Sequence, residues 1–398
     1  MPRSLSPGLR QGLWPFGFLS ATYFTHIGFF NPYLSLWLQD LGLGVLAIGA
    51  LTAMQSATRL IAPFLWAWLS DHTGQRVRLM RVGALAAWVV SLGFYVSHQL
   101  WWLSLVMVLM FIHTSPLMSL SEAAMAQRVS VGGQFDTQRY GRVRLWGSVG
   151  FLVTVFLAGA WFERHGMADF PHWTVATLAA VNLAVWWLPN QAETPAAKNL
   201  AGRLGPVLRQ TPVRWFFAAM FFHILAHTSI YVFLSLYLDS LGYSKTMIGA
   251  LWALSVVVEV VWFYFQGRWM HRLAVGTWLL LTSALTVVRM ALTGNAGDVL
   301  WVLAVSQMMH ACTFAAHHSA CVQWISQSFP GPLRARGQAL YSVMGYGLTG
   351  VLGALGGGAI SQVWGMAVVF QCAAVSALVG LVCAWRFGLA QAQGHQAG

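Results

Sequence analysis

Apolar runs of about 20 residues recur along the whole chain, and a chain written this way has few ways to fold. Windows of about 19 residues place runs near 14–38, 45–70, 79–97, 100–127, 140–161 and 173–189. A second set follows near 214–239, 246–267, 273–293, 299–327, 337–361 and 364–387. A helix needs about 20 mostly apolar residues to cross the hydrocarbon core, so twelve of them use roughly 240 positions. Only 8% of the 398 residues are charged and 58% are hydrophobic, where an average soluble domain carries about 25% charge. So little charge cannot cover a soluble surface of this size. A soluble enzyme, a nucleic-acid binder and a disordered chain are excluded as wholes. The expected class is an all-α membrane protein with twelve transmembrane helices.

The net charge of +12 is topological. With the amino terminus in the cytoplasm, all Lys and Arg except Arg59, Arg164, Lys245 and Arg289 fall in or beside cytoplasmic segments. That is the positive-inside pattern and not a polyanion-binding stripe. Both termini are expected in the cytoplasm of a multi-pass protein of the cell (inner) membrane, with the lipid bilayer as partner and no nucleic acid. The basic segment before Trp14 runs into a long apolar run, so it reads as leading an uncleaved first span. Cys312, Cys321, Cys372 and Cys383 all lie inside expected helices and read as packing residues.

The chain repeats at half its length. Shifted by 200, Leu34-Ser35-Leu36 meets Leu234-Ser235-Leu236, and Leu41-Gly42 meets Leu241-Gly242. Ile48-Gly49-Ala50-Leu51 then meets Ile248-Gly249-Ala250-Leu251 without a gap. Two pseudo-symmetric six-helix bundles are expected, 1–189 and 214–398, joined by a polar cytoplasmic linker 190–213 that carries Pro195, Lys198, Gly202 and Pro206. Parallel six-helix repeats are the architecture of major facilitator transporters, whose halves rock about a midplane site. Between the second and third spans, Ala67, Asp71, Gly74 and Arg76 resemble that superfamily's G-x-x-x-D-x-x-G-x-R signature, with Ala in place of the first Gly. The resemblance implies that Asp71, Gly74 and Arg76 form a cytoplasmic charge contact that steadies one conformation.

An ionisable side chain at the bilayer centre costs about 2.5–3.5 kcal/mol even on lenient scales, so those present face a cavity or a partner. Of ten acids, Glu122 and Glu259 lie well inside spans. Arg59 and Arg289 do too, with Arg142 and Arg144 at the start of the fifth span. Glu122 lies six residues before Arg128, roughly 9 Å into the membrane, and is expected to pair with Arg144 or Arg142. Arg59 and Glu259 occupy equivalent repeat positions, and read either as opposite walls of one cavity or as members of separate ion pairs. Arg289 balances Glu259 or snorkels outward.

Histidine titrates near neutral pH, and His26, His113, His223, His227, His310, His317 and His318 lie in spans. His310 and His317 are seven apart, hence on one helical face with Gln307, Phe314 and Cys321. His223 and His227 form a second stripe with i,i+4 spacing that also suits zinc. No third ligand has fitting spacing, so no metal is expected. Most of the 21 Trp cluster at span ends as interfacial anchors. Tyr23, Phe24, Phe30 and Tyr231 either line a substrate path or pack. The glycines of the eleventh span suit close packing and a flexible gate.

The segment Tyr140–Phe151, YGRVRLWGSVGF, resembles one in the proton-symporting lactose and nucleoside permeases, and most of all the phenylpropionic acid permease family. Glu259-Val260, Arg289 and the run from Gln307 to Phe314 are similar as well. The resemblance implies substrate contact by Arg144, and substrate binding or proton coupling by Glu259, with Arg289 and a histidine of the tenth span in the proton network. An acid expected one turn beyond Glu122 is replaced by Ala126, which argues against a lactose-like sugar site. The expectation is a secondary-active, proton-coupled importer of a small organic solute such as an aromatic carboxylic acid, working as a monomer by alternating access. Substrate would be held by Arg144, Glu122, Arg59, Tyr23, His26 and Phe314, and the proton by Glu259, His310, Arg289 and His317. No cofactor is expected beyond the proton as coupling ion. A nucleoside or oligosaccharide symporter and a metabolite or drug exporter share these features. No nucleophile–base pair or phosphate loop points to an enzyme.

Overall fold

The computed structural model describes residues 12–129, 137–190, 204–329 and 333–396. Side chains are described for these except at 123, 126–129, 137–142, 334–335 and 394–396. The first helices are α1 (Trp14–Asp40), α2 (Val45–Thr73), α3 (Arg76–Ser91), α4 (Leu100–Val129), α5 (Thr137–His165) and α6 (Phe170–Trp186). After a short helix Leu204–Leu208 come α7 (Thr211–Ser240), α8 (Lys245–Phe265) and α9 (Val275–Asn295). α10 comprises Leu300–Met308 and His317–Ser328 around a π-helical stretch, Ala311–Ala316. α11 likewise comprises Leu333–Ser342 and Thr349–Trp364 around a π-helical Val343–Leu348, and α12 is Met366–Gln396. Among the described residues, nine helices are long and apolar enough to cross a membrane. Helices also stand at the expected first, sixth and tenth spans.

The chain divides into two compact units, Met1–Leu41 with Thr58–Ala197, and Gly42–Ala57 with Lys198–Gly398. α2 is thus divided, and its first part packs on α11, where a Cβ on Gly49 would meet the Ala354 carbonyl. The core of the first unit joins Phe16 and Leu19 of α1 to Met80 of α3, Leu117 of α4 and Val181 of α6. The second joins Phe216 and Met220 of α7 to Leu279 of α9, Trp324 of α10 and Phe387 of α12. Phe216 stacks on Trp324 with ring centroids 4.1 Å apart. Outside these cores, Leu183, Val363 and Val375 are 69%, 68% and 62% exposed. Large apolar side chains turned outward suit a hydrocarbon solvent, in which helices satisfy their backbone polar groups internally.

The sequence repeat is also a conformational one. α1 and α7 both end in a turn whose glycine is left-handed, Gly42 and Gly242, each at φ 83°. Leu41 N–H donates to Trp37 O at 3.0 Å and Leu241 N–H to Tyr237 O at 3.1 Å, closing both ends alike. A left-handed glycine is the usual helix stop because a Cβ there is penalised. At the start of α8, Ser244 accepts from the Met247 N–H at 3.1 Å, a side-chain cap that starts the helix carrying Glu259. Arg81 of α3 donates to the Trp186 and Leu188 carbonyls at 3.3 and 2.8 Å, neutralising the negative end of α6.

A Cβ added at Gly42, Gly44 or Gly242 meets no atom within 4 Å, but only Gly42 and Gly242 have positive φ. Gly42→Ala and Gly242→Ala should each cost about 1–2 kcal/mol from backbone strain alone, with Gly44→Ala near neutral. Thermal unfolding of the purified variants checks this. Equal stability of all three would contradict the assignment of the turn.

Candidate functional site

Arg289, on α9, is fully buried, and its guanidinium organises the second unit. Its Nη1 donates to Thr313 Oγ1 at 2.8 Å and to His310 Nδ1 at 3.1 Å, and its Nη2 donates to Gln307 Oε1 at 3.3 Å. His310 Nε2 lies 3.3 Å from Glu259 Oε2 on α8. A second contact, Thr293 to Ser306 at 2.7 Å, ties α9 to α10 one turn away.

This arrangement settles the tautomer. A guanidinium only donates, so the His310 nitrogen facing it must accept. The imidazole proton is therefore on Nε2 and is given to the Glu259 carboxylate. Protonating Nδ1 would set one N–H against another and put a second positive charge beside the first. Glu259, with its side chain 24% exposed against 7% for His310, is the most exposed of the three side chains in this chain of contacts. No described carboxylate lies within ion-pair distance of Arg289, so its desolvation is offset by neutral acceptors alone.

The π-helical stretch of α10 makes this possible. A π turn leaves a carbonyl outside the regular ladder, and the Thr313 carbonyl is taken by His223 Nε2 of α7 at 2.8 Å. The same stretch corrects the shared face expected for His310 and His317. Seven residues are two turns of α-helix only where the helix is α throughout. Across Ala311–Ala316 the register changes, and His317 instead stacks on His223, ring centroids 3.5 Å apart and 3° from parallel. Its Nδ1 lies 3.6 Å from Cys321 Sγ. Phe314 does stay with His310, stacked at 4.9 Å and 7°. Thr313 carries no titratable group, and sequence reading passed over it.

In the first unit, charges gather around Tyr23 of α1. Arg59 of α2, Glu122 of α4 and Arg144 of α5 all act electrostatically on its phenol. The Arg144 guanidinium lies over the Phe24 ring, 4.1 Å from its centroid, a cation–π contact. Neither Arg59 nor Arg144 has a described carboxylate within ion-pair distance; Arg142, the other partner expected for Glu122, has its side chain outside the described residues. His26 stands apart. It is 1% exposed, holds Thr177 Oγ1 at 2.9 Å and packs on Phe29 and Phe30, which are the surroundings of a residue joining α1 to α6.

At the end of α2, Gly74 takes φ 62° and donates to the Ser70 carbonyl at 2.9 Å, ending the helix. The chain reverses so that Arg76 Nη2 reaches Asp71 Oδ1 at 3.6 Å and Nε reaches Ser70 Oγ at 3.3 Å. The turn thus sets Arg76 beside Asp71. Asp71 is 57% exposed, so the pair is worth about 0–1 kcal/mol.

The model of the MFS_1 like family matches residues 16–372. The chain belongs to this family. It is similar to the "Probable 3-phenylpropionic acid transporter" of Escherichia coli (strain K12), at 29% identity over 331 residues, 82% of this chain and 85% of that one. It is also similar to the maltose permease of Geobacillus stearothermophilus, at 25% identity over 365 residues and 90% of each chain. Its fold is similar to that of a mutant of the nucleoside transporter NupG, with TM-score 0.82 at 15% identity over 95% of this chain and 99% of that one. The human organic anion transporter MFSD10 is similar at TM-score 0.65 and 15% identity, over 95% and 100% of the two chains. This MFS_1 like chain is a multi-pass membrane transporter of the major facilitator type, and not an enzyme.

Thr313→Val removes a 2.8 Å acceptor from a buried guanidinium at nearly constant volume, which should cost about 1–3 kcal/mol. Thr313→Ser keeps the hydroxyl and should remain within about 0.5 kcal/mol of the parent. Thermal unfolding of the MFS_1 like protein in detergent compares them.

Proposed function

We propose that this protein is a proton-coupled importer of an aromatic carboxylic acid of the 3-phenylpropionate kind. The observation that carries the proton coupling is the chain Glu259–His310–Arg289. A carboxylate that accepts from a histidine fixed by a buried arginine has two states, ionised and neutral, and they differ in the hydrogen bond they offer to α10. Protonation of Glu259 removes the charged acceptor, weakens the His310 contact and loosens the hold of α8 on the π turn. Release of the proton restores it. An inward proton gradient therefore drives uptake, which rises as the outside pH falls.

Two arginines support an anionic cargo. Arg59 and Arg144 lie beside Tyr23 without a described carboxylate partner, and Phe24 offers an aromatic face under Arg144. A carboxylate held by arginine and a ring held by phenylalanine or tyrosine are the groups of an arylalkanoic acid. The relative named for 3-phenylpropionic acid supports the same class. A sugar cargo has the maltose permease likeness behind it, but a neutral sugar leaves both guanidinium charges uncompensated. The reading also carries the finer topology: twelve spans in two six-helix bundles, 1–189 and 214–398, alternating access in the inner membrane, with both termini cytoplasmic.

Purified protein in liposomes tests this. Uptake of labelled 3-phenylpropionate should exceed equilibrium only with an inward proton gradient. Glu259→Gln should abolish accumulation while sparing exchange, and Arg144→Gln should raise KM about tenfold or more, the loss of a charge-assisted hydrogen bond. Equal uptake with and without the gradient overturns the coupling. Full accumulation by Glu259→Gln removes that residue from the proton path.

A further inference from the structure

The Thr313 carbonyl is held from outside its own helix, by a histidine that the proton chain does not include. In a regular α-helix that carbonyl would accept from the His317 N–H, four residues on. Here the His317 N–H donates to the Phe314 carbonyl, and His223 Nε2 of α7 takes the Thr313 carbonyl at 2.8 Å. A carbonyl only accepts, so the His223 proton is on Nε2. Its Nδ1 is then an acceptor, and it faces the Ser283 hydroxyl of α9 at 3.4 Å. The ring is buried. It stacks against His227 of its own helix and His317 of α10, with centroids 4.8 and 3.5 Å away. Gly380 lets α12 approach the backbone here, since a Cβ on it would lie 3.2 Å from the His223 nitrogen. The titratable and charged groups that act on this ring are therefore His227 on α7, Arg289 on α9 and His317 on α10.

We propose that His223 is a positioning residue of the proton chain, acting through Thr313. Thr313 is bonded twice, its carbonyl to His223 of α7 and its hydroxyl to Arg289 of α9, each at 2.8 Å. Without the His223 donor that buried carbonyl loses its partner, which costs as much as a lost hydrogen bond. The π turn then relaxes toward the α register, in which the His317 N–H satisfies the carbonyl. That movement draws the Thr313 hydroxyl away from Arg289 Nη1, the nitrogen that also faces His310 Nδ1. With one of its two acceptors gone, Nη1 is no longer fixed on His310, and the His310 proton is no longer confined to Nε2. This role deepens the proposed function, on which it rests, by adding α7 to the proton chain, but its test needs no transport.

Nitrogen-15 spectra of the histidine-labelled full protein in lipid bilayers read this directly. His223→Phe keeps a ring to stack on His317 and loses the donor, while His223→Gln keeps an N–H at a similar reach. His310 should show the Nε2–H tautomer alone in the unmodified protein and in His223→Gln, and both tautomers in His223→Phe. A merely structural role lowers the melting temperature of His223→Phe and leaves His310 with one tautomer, and that result overturns the proposal. An equal mixture of tautomers in His223→Gln and His223→Phe also overturns it, because the donor is then not what counts. The His223 signals of the unmodified protein decide even where a variant misfolds. Nε2 protonated and Nδ1 unprotonated is the expected result, and an imidazolium or an Nδ1–H tautomer overturns the proposal. No uptake is measured, so a failure of proton-coupled uptake leaves this result standing, and a single His310 tautomer in His223→Phe leaves the acid-uptake reading standing.

Discussion

A guanidinium shut away from solvent, with no described carboxylate within ion-pair distance, is the constraint on which the second unit is built. Arg289 spends its hydrogen bonds on three neutral acceptors, His310, Thr313 and Gln307, all from α10. Removing a charge from water in this way is tolerated only when the donors are satisfied in good geometry. The π turn of α10 supplies that geometry, because it places the Thr313 hydroxyl and the His310 ring on the same nitrogen. The arginine then dictates the histidine tautomer, and the tautomer turns the His310 Nε2 proton toward Glu259.

The first unit solves the same problem differently. Arg59 and Arg144 are half-buried beside Tyr23, and Arg144 lies over a ring face with no described carboxylate within ion-pair distance. A cation–π contact leaves most of a charge uncompensated. Arg289, by contrast, has side-chain acceptors on both terminal nitrogens. Under the proposed function, this difference separates substrate binding from proton handling.

Much of this was legible in the chain before any coordinates. Span positions follow from hydropathy because the bilayer enforces length and polarity on every helix. The 200-residue repeat predicted matching turns, and Gly42 and Gly242 share one backbone conformation because nothing else ends both helices so sharply. Asp71, Gly74 and Arg76 were singled out by their resemblance to the superfamily signature, and the left-handed Gly74 lets the chain reverse so that Arg76 lies beside Asp71. Arg289, His310 and Glu259 were found as charges too costly to be accidental. The partition of α10 was not legible. Helical periodicity put His317 on the face of His310, but a π turn has no strong residue signature, and Ala311–Ala316 reads as ordinary small apolar helix. Thr313 was missed for a related reason: a threonine in an apolar span ordinarily bonds its own backbone. His26 showed only that a histidine was buried, and its neighbours Thr177, Phe29 and Phe30 are what distinguish packing from binding.

Under the proposed function, Arg289 holds His310 neutral, with its proton on Nε2, and the exchangeable proton resides on Glu259. Nitrogen-15 spectra of histidine-labelled protein in bilayers test it most directly, with the His310 signals assigned by comparison with His310→Asn and followed through the titration of the Glu259 carboxyl infrared band. His310 is expected to show an unprotonated Nδ1 and a protonated Nε2 on both sides of that titration. An imidazolium signal from His310 appearing while Glu259 remains ionised would contradict it.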